Sequence, residues 1–210
     1  MLDVYLIHGL YMNRFALAPL AREVRAAGHA ATLVGHHTIM GSLSRSAEHL
    51  ANCIRHGDEK RRRVIVGHSL GGVVAAYAAS RFEDLQVDDV ILLGSPFHGS
   101  AAARGLAMVP GGVHLVGGPL REWMALKNFA PRQGLRLWTL IGNRRLGIGQ
   151  YIGHFADQPS DGTVALDEAQ IEGAHASAML PVSHLQMLVS PPVTAQVLQW
   201  LGEIDAGRQG

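Results

Sequence analysis

The chain has 210 residues, with 18 Lys and Arg against 17 Asp and Glu, a net charge of +1, 48% hydrophobic residues and 17% charged ones. That length and apolar content suit one domain with a sizeable core and exclude a disordered chain; the even charge balance argues against a nucleic-acid partner, which needs a basic excess to neutralise phosphates. The single cysteine, Cys53, excludes an intramolecular disulfide framework.

Residues 2–7 form a short apolar run bounded by His8-Gly9, the pattern of a buried strand. No basic region precedes Val4-Tyr5-Leu6-Ile7 and no small-residue cleavage site follows it, so it reads as a strand and not as a signal peptide. No apolar run reaches the roughly 18 residues that a membrane span needs, and the expectation is a soluble, cytoplasmic protein. Leu17, Leu20, Val24 and Ala27 make one face of a helix that ends at Gly28. Residues 31–34 predict a second strand, and 45–56 a helix closed by Gly57. The charged run 58–63 reads as a solvated connection.

Val64-Ile65-Val66 is a third strand, apolar on both faces as in a covered parallel sheet, and a helix follows over about 70–82. Further strands are predicted at 89–93, 135–141 and 176–182, the last with Pro181 near its end, and a last helix at 192–202. Alternating strands and helices imply a parallel sheet covered on both faces in a single domain over residues 1–210. Two stretches, 100–131 and 142–170, break the rhythm; the first is too Gly-rich for a rigid core element, and long loops in compact domains are often functional.

The chemistry centres on Gly67-His68-Ser69-Leu70-Gly71-Gly72, which fits G-x-S-x-G. An apolar strand leads in and a helix leads out, so Ser69 stands on a sharp strand-to-helix corner with its hydroxyl at the carboxyl end of the sheet, where ligands bind in open α/β folds. A serine hydroxyl needs a base, and the base an orienting acid. Among 12 histidines, His184 in Val182-Ser183-His184-Leu185 follows the last strand and so shares the edge of Ser69, whereas His175 precedes that strand and His154 lies inside a loop. The acid has to come from the loop after the fifth strand, where Asp157, Asp161, Asp167 and Glu168 are available. Asp161, in the turn Pro159-Ser160-Asp161-Gly162-Thr163-Val164, is preferred, with Asp157 as the alternative. Oxyanion donors are expected from the backbone N–H groups of Leu70 and of Leu10, in the loop after the first strand. His8 reads as a hydrogen-bonded loop histidine, His36-His37 as a loop pair and Cys53 as buried and inert.

In these pieces the chain resembles the small α/β-hydrolases of the lipase and esterase type. Leu6-Ile7-His8-Gly9-Leu10, Gly67-His68-Ser69-Leu70-Gly71-Gly72, Gly94-Ser95-Pro96-Phe97-His98-Gly99-Ser100, Ser160-Asp161-Gly162-Thr163-Val164 and Ser183-His184 carry it, in the family's order. The resemblance implies an α/β-hydrolase fold with a minimal six-stranded, mostly parallel sheet that starts at the family's third strand and has helices on both faces. It implies a nucleophile at Ser69, an acid at Asp161, a base at His184 and oxyanion donors at Leu10 and Leu70, with no metal and no cofactor. Residues 95–100 resemble the family's loop after its sixth strand, which lines the site; the stretch from the fifth strand to Asp161 is longer than the family's.

The activity implied is that of a serine carboxylic-ester hydrolase acting on a small-molecule or lipid acyl ester. A thioesterase or acyltransferase with the same triad is the alternative, and a non-catalytic binding module on the same fold the third reading. Residues 100–131, with Leu106, Met108, Val109, Leu115, Val116, Leu120, Trp123 and Met124, are expected to line an acyl pocket or to cover it as a lid.

Overall fold

The computed structural model describes residues 1–126, 129–147 and 159–207. Six strands, β1 (Leu2–Ile7), β2 (Ala30–Val34), β3 (Arg62–His68), β4 (Val87–Leu93), β5 (Arg136–Gly142) and β6 (Ala176–Leu180), make one sheet in the order β2-β1-β3-β4-β5-β6. Every neighbouring pair is parallel. The helices are α1 (Ala18–Ala26), α2 (Leu43–Arg55), α3 (Leu70–Arg81), α4 (Ala101–Ala107), α5 (Gly118–Ala125), the short α6 (Leu166–Ala169) and α7 (Pro191–Ala206).

The period-2 rule of a strand explains the layers. Leu2, Val4 and Leu6 of β1 join a core with Leu20 and Val24 of α1 and Val193, Val197 and Leu201 of α7. Tyr5 and Ile7, which alternate with them, join a second core with Leu50 and Ile54 of α2 and Val73 and Val74 of α3. Both faces are therefore covered, and burial of each such side chain contributes about 1.5–3 kcal/mol. α1 ends where Gly28 takes φ +88°, a conformation that suits a residue without Cβ. Side-chain caps start α2 and α4: Ser42 Oγ accepts from Arg45 N at 3.1 Å and Ser100 Oγ from Ala103 N at 3.1 Å.

Four sequence expectations change. The run 58–63 is not all solvated, because Arg62 and Arg63 open β3; Arg63 is buried, and Arg62 meets the fully buried Asp89 at 2.7 Å. Within 100–131, residues 101–107 and 118–125 are helical, and Val116, Leu120 and Trp123 are buried in the core, so this stretch is not wholly a loop. Cys53 is half-buried, with its Sγ 3.8 Å from His49 Nε2. β6 stops at Leu180, one residue before Pro181, which has no N–H to give to a ladder.

The strand order reverses between β1 and β3: the chain moves outward to β2, then returns to the other side of β1. At such a reversal the loops after the two strands diverge and leave a crevice at the carboxyl edge. Leu10 follows β1 and Ser69 follows β3, so both stand at that crevice.

Candidate active site

Ser69 sits between β3 and α3 with φ +54° and ψ −124°, in a region that L side chains rarely adopt. Its surroundings enforce that conformation. Ser69 N donates to the Leu93 carbonyl of β4 at 2.9 Å, and its own carbonyl accepts from Gly72 N at 3.0 Å. A Cβ on Gly71 would lie 2.2 Å from the Ile7 carbonyl oxygen, and one on Gly67 2.3 Å from Gly72 Cα. The glycines of the motif are thus set by close backbone approach, with the elbow pressed against β1 and against its own first helical turn.

Asp161 and His184 meet across two loops. His184 Nδ1 lies 2.7 Å from Asp161 Oδ2, and His184 N donates to the Asp161 carbonyl at 2.9 Å. The other carboxylate oxygen, Oδ1, accepts from Val164 N at 2.7 Å and Thr163 N at 2.9 Å. Asp161 is 1% exposed and His184 5%, so the pair interacts out of bulk water. Gly94 and Gly142 leave the room it occupies, since a Cβ on either would come within 2.9 Å of Asp161 atoms.

Ser69, His184, Leu10 and Leu70 all line one cavity of about 410 Å³ at the carboxyl edge of the sheet. One wall comes from Leu106 and Ala103 of α4 with Val116 and Leu120; the other from Leu146, Thr163, Val164 and Leu185. Among the described residues no Asp, Glu, Lys or Arg lines it. A larger groove of about 580 Å³ lies at the opposite edge, but its guanidiniums are engaged, Arg132 with Asp88 at 2.7 Å and Arg62 with Asp89 at 2.7 Å. Among the described residues no Ser, Cys or His lines that groove, whereas Ser69 and His184 both line the apolar cavity.

Of the other acids weighed in the sequence, Asp157 lies outside the described residues, as does His154. Asp167 is exposed. Glu168 is buried but turned to the backbone. Its Oε2 accepts from Ala165 N at 3.0 Å, and its Oε1 accepts from Ala101 N and faces Arg104 Nη2 at 3.4 Å. The carboxylate therefore fastens the Asp161 loop to the start of α4; burial pushes its pKa up, against these hydrogen bonds. Met108 and Val109, expected in the pocket, are 85% and 54% exposed and do not line it; Leu106 does. The reason is that α4 ends at Ala107: its inward face carries Ala102, Ala103 and Leu106, and Met108 and Val109 fall beyond it.

Two histidines given no site role from the sequence hold the site's backbone. His68 is fully buried and its Nε2 lies 3.0 Å from the His184 carbonyl, which fixes the proton on Nε2. Its Nδ1 has no partner among the described residues. Burial, and then the neighbouring His184, push its pKa down to about 3. His36 Nε2 donates to the His8 carbonyl at 2.9 Å, and His8 Nε2 accepts from His36 N at 3.4 Å. Burial holds His36 down to about 4 and lowers His8 as well. These neutral rings brace the loop that carries Leu10. His8 is thus the hydrogen-bonded loop histidine its position predicts, and among the described residues no group of three or more His, Cys, Asp and Glu is placed to hold a metal.

The family model described as the alpha/beta hydrolase family matches residues 4–206. A probable esterase, PIR7A, of Oryza sativa subsp. japonica is 34% identical over 87 residues; the match covers 37% of this chain and spans 33% of the rice protein's length. Among solved structures, the mature lipase BlEst2 of Bacillus licheniformis superposes with a TM-score of 0.74 at 21% identity, over 93% of this chain and 91% of that one. The metagenomic carboxyl esterase MGS0156 does so with a TM-score of 0.69 at 19% identity, over 87% of this chain and 64% of that one.

Proposed function

The chain belongs to the alpha/beta hydrolase family, and from that premise we propose that it is a serine-dependent carboxylic-ester hydrolase. The observation that carries the reading is the buried Asp161–His184 pair, 2.7 Å apart, opening on the same apolar cavity as the left-handed Ser69. The rice relative and the two solved structures, whose names describe an esterase, a lipase and a carboxyl esterase, support the same class of reaction.

In this reading Ser69 Oγ attacks the ester carbonyl and its proton passes to His184 Nε2. Asp161 Oδ2 accepts from His184 Nδ1–H, which leaves Nε2 unprotonated and ready to receive that proton. The carbonyl oxygen takes up negative charge, and the backbone N–H groups of Leu10 and Leu70 receive it. Leu70 N is also the first of α3, where the helix N-terminus favours an anion. The tetrahedral intermediate collapses, His184 returns the proton to the departing alcohol, and the acyl group stays on Ser69. A water, deprotonated by His184, then attacks the acyl-enzyme and releases the acid. The uncharged cavity suits an ester whose acyl and alcohol parts are apolar, with Ala103 and Leu106 of α4 and Val116 walling one side.

Fluorophosphonate labelling combined with p-nitrophenyl ester turnover tests this. Wild-type protein is expected to label once, and Ser69→Ala to lose both the label and turnover by several orders of magnitude. Near-normal turnover in Ser69→Ala would exclude the acyl-enzyme route; acyl thioesters run beside oxygen esters identify the preferred leaving group.

A further inference from the structure

In an all-parallel sheet the loops that follow the strands share one edge, and here they differ sharply in chemistry from those at the other edge. Residues 8–17, 35–42, 94–117, 143–147 and 181–190 contain no Asp or Glu at all, while Arg14, Arg104 and Arg144 are exposed among them. The one carboxylate in the described part of the β5–α6 loop, Asp161, is buried against His184. Six exposed carboxylates, Asp58, Glu59, Glu83, Asp84, Asp88 and Glu172, lie at the opposite edge; beside these loops the exposed ones are Glu122 of α5, which accepts from Leu43 N at 2.8 Å, and Asp167 of α6.

The same loops carry most of the exposed apolar side chains. Of the 14 large apolar side chains exposed among the described residues, eleven lie on these loops, including Met40 at 84%, Met108 at 85%, Leu185 at 61% and Val189 at 64%. Water-exposed apolar side chains scattered singly need no explanation, but a concentration around the mouth of an apolar cavity does. They come from five separate loops, with Tyr11, Leu146 and Leu185 lining the cavity itself, so no single groove fits a helix or a strand. Side chains that protrude at several points around an opening suit a flat apolar phase that they can enter. Guanidiniums among them, with no exposed carboxylate among the described residues of these loops, suit a phase whose surface is anionic.

We propose that this edge docks on an anionic lipid surface, with Met40, Met108, Val109, Leu185 and Val189 entering the acyl boundary and Arg14 and Arg144 meeting the headgroups. The cavity mouth then faces the membrane, and an apolar ligand passes into it without crossing water. The inference stands on the surface alone and holds whether or not Ser69 is a nucleophile.

Co-sedimentation with vesicles tests it, using the Ser69→Ala protein so that hydrolysis cannot alter the lipid. Vesicles of phosphatidylcholine with phosphatidylglycerol are expected to retain the protein, vesicles of phosphatidylcholine alone far less, and added salt to release it. Met108→Ser with Val109→Ser is expected to weaken retention about tenfold, as partial loss of two apolar anchors. Arg14→Gln with Arg144→Gln is expected to abolish the preference for the anionic vesicle. On the otherwise wild-type chain, none of the four substitutions touches the cavity, so turnover of a short soluble ester stays unchanged and shows that the variants fold. No retention on either vesicle, equal retention on both, or retention untouched by Met108→Ser with Val109→Ser overturns the proposal. So does concentration-dependent dimerisation removed by the same pair, which would make a second copy of the chain the occupant.

Discussion

Asp161→Asn isolates the role of one proton. In the folded chain Oδ1 accepts from two backbone N–H groups, of Thr163 and Val164, while Oδ2 faces His184 Nδ1. A carboxamide at this position can satisfy Thr163 and Val164 only with its oxygen on their side, because its NH2 cannot accept. That orientation aims the NH2 at His184 Nδ1, which must then become the acceptor, and the imidazole proton moves to Nε2. In that tautomer His184 cannot take the proton of Ser69. The shape and the buried hydrogen bonds survive, so thermal stability should change little while turnover falls about 10,000-fold, as for a triad held in the wrong tautomer. That corresponds to about 5.5 kcal/mol in the barrier, at 1.36 kcal/mol per tenfold. Steady-state hydrolysis of a p-nitrophenyl ester, read beside the melting temperature, measures both. A loss below about tenfold, roughly 1.4 kcal/mol, with the fold intact would refute the assignment and turn attention to Asp157.

His8, His36 and His68 are kept from protonation in the fold by burial, His36 to about 4 and His68 to about 3, against 6.5 for the free group. Because the unfolded chain takes up protons first, their contribution to stability is full above about pH 6.5 and is lost as pH falls toward about 4 for His36 and about 3 for His68. Urea midpoints should therefore drop between about pH 7 and pH 5, less steeply in His36→Gln; a flat profile in the wild type would contradict this. Gly71→Ala places a methyl 2.2 Å from the Ile7 oxygen and 2.6 Å from the His8 oxygen. Backbone cannot give way there, so stability should fall by about 3 kcal/mol or more, and unchanged melting would show that the elbow is not seated on β1.

What the sequence made legible follows from range. Val64-Ile65-Val66 and Val90-Ile91-Leu92-Leu93 are apolar on both faces, and that pattern belongs to a covered parallel strand whatever surrounds it. The order of chemistry along the chain places Ser69, Asp161 and His184 at one edge once the strands are recognised. α5 is hidden by the Gly-rich composition of 100–131, although Leu120 and Trp123 stand at helical spacing and Pro119 sits in the first turn, a start signal. Contacts between distant segments left no local trace. The bond from His68 to the His184 carbonyl spans 116 positions, and that from Glu168 to Ala101 spans 67. Nothing in either neighbourhood announces such a partner. Glu168 was visible as an acid near the site but not as the group that ties two loops together.

The seat of Ser69 also bears on how the chain folds. Its left-handed backbone is imposed from two sides, by the Ile7 and His8 carbonyls of the β1 end through Gly71 and by the Leu93 carbonyl of β4. β1 reaches β3 only after the chain has made the excursion through α1, β2 and α2, so this contact closes a long loop and forms late. The local segment from β3 into α3 can gain helix early, before anything compels residue 69 into its strained geometry. During refolding from urea, far-UV circular dichroism should recover ahead of the capacity to react with a fluorophosphonate. Simultaneous recovery of the two signals would mean that the elbow forms as a local unit.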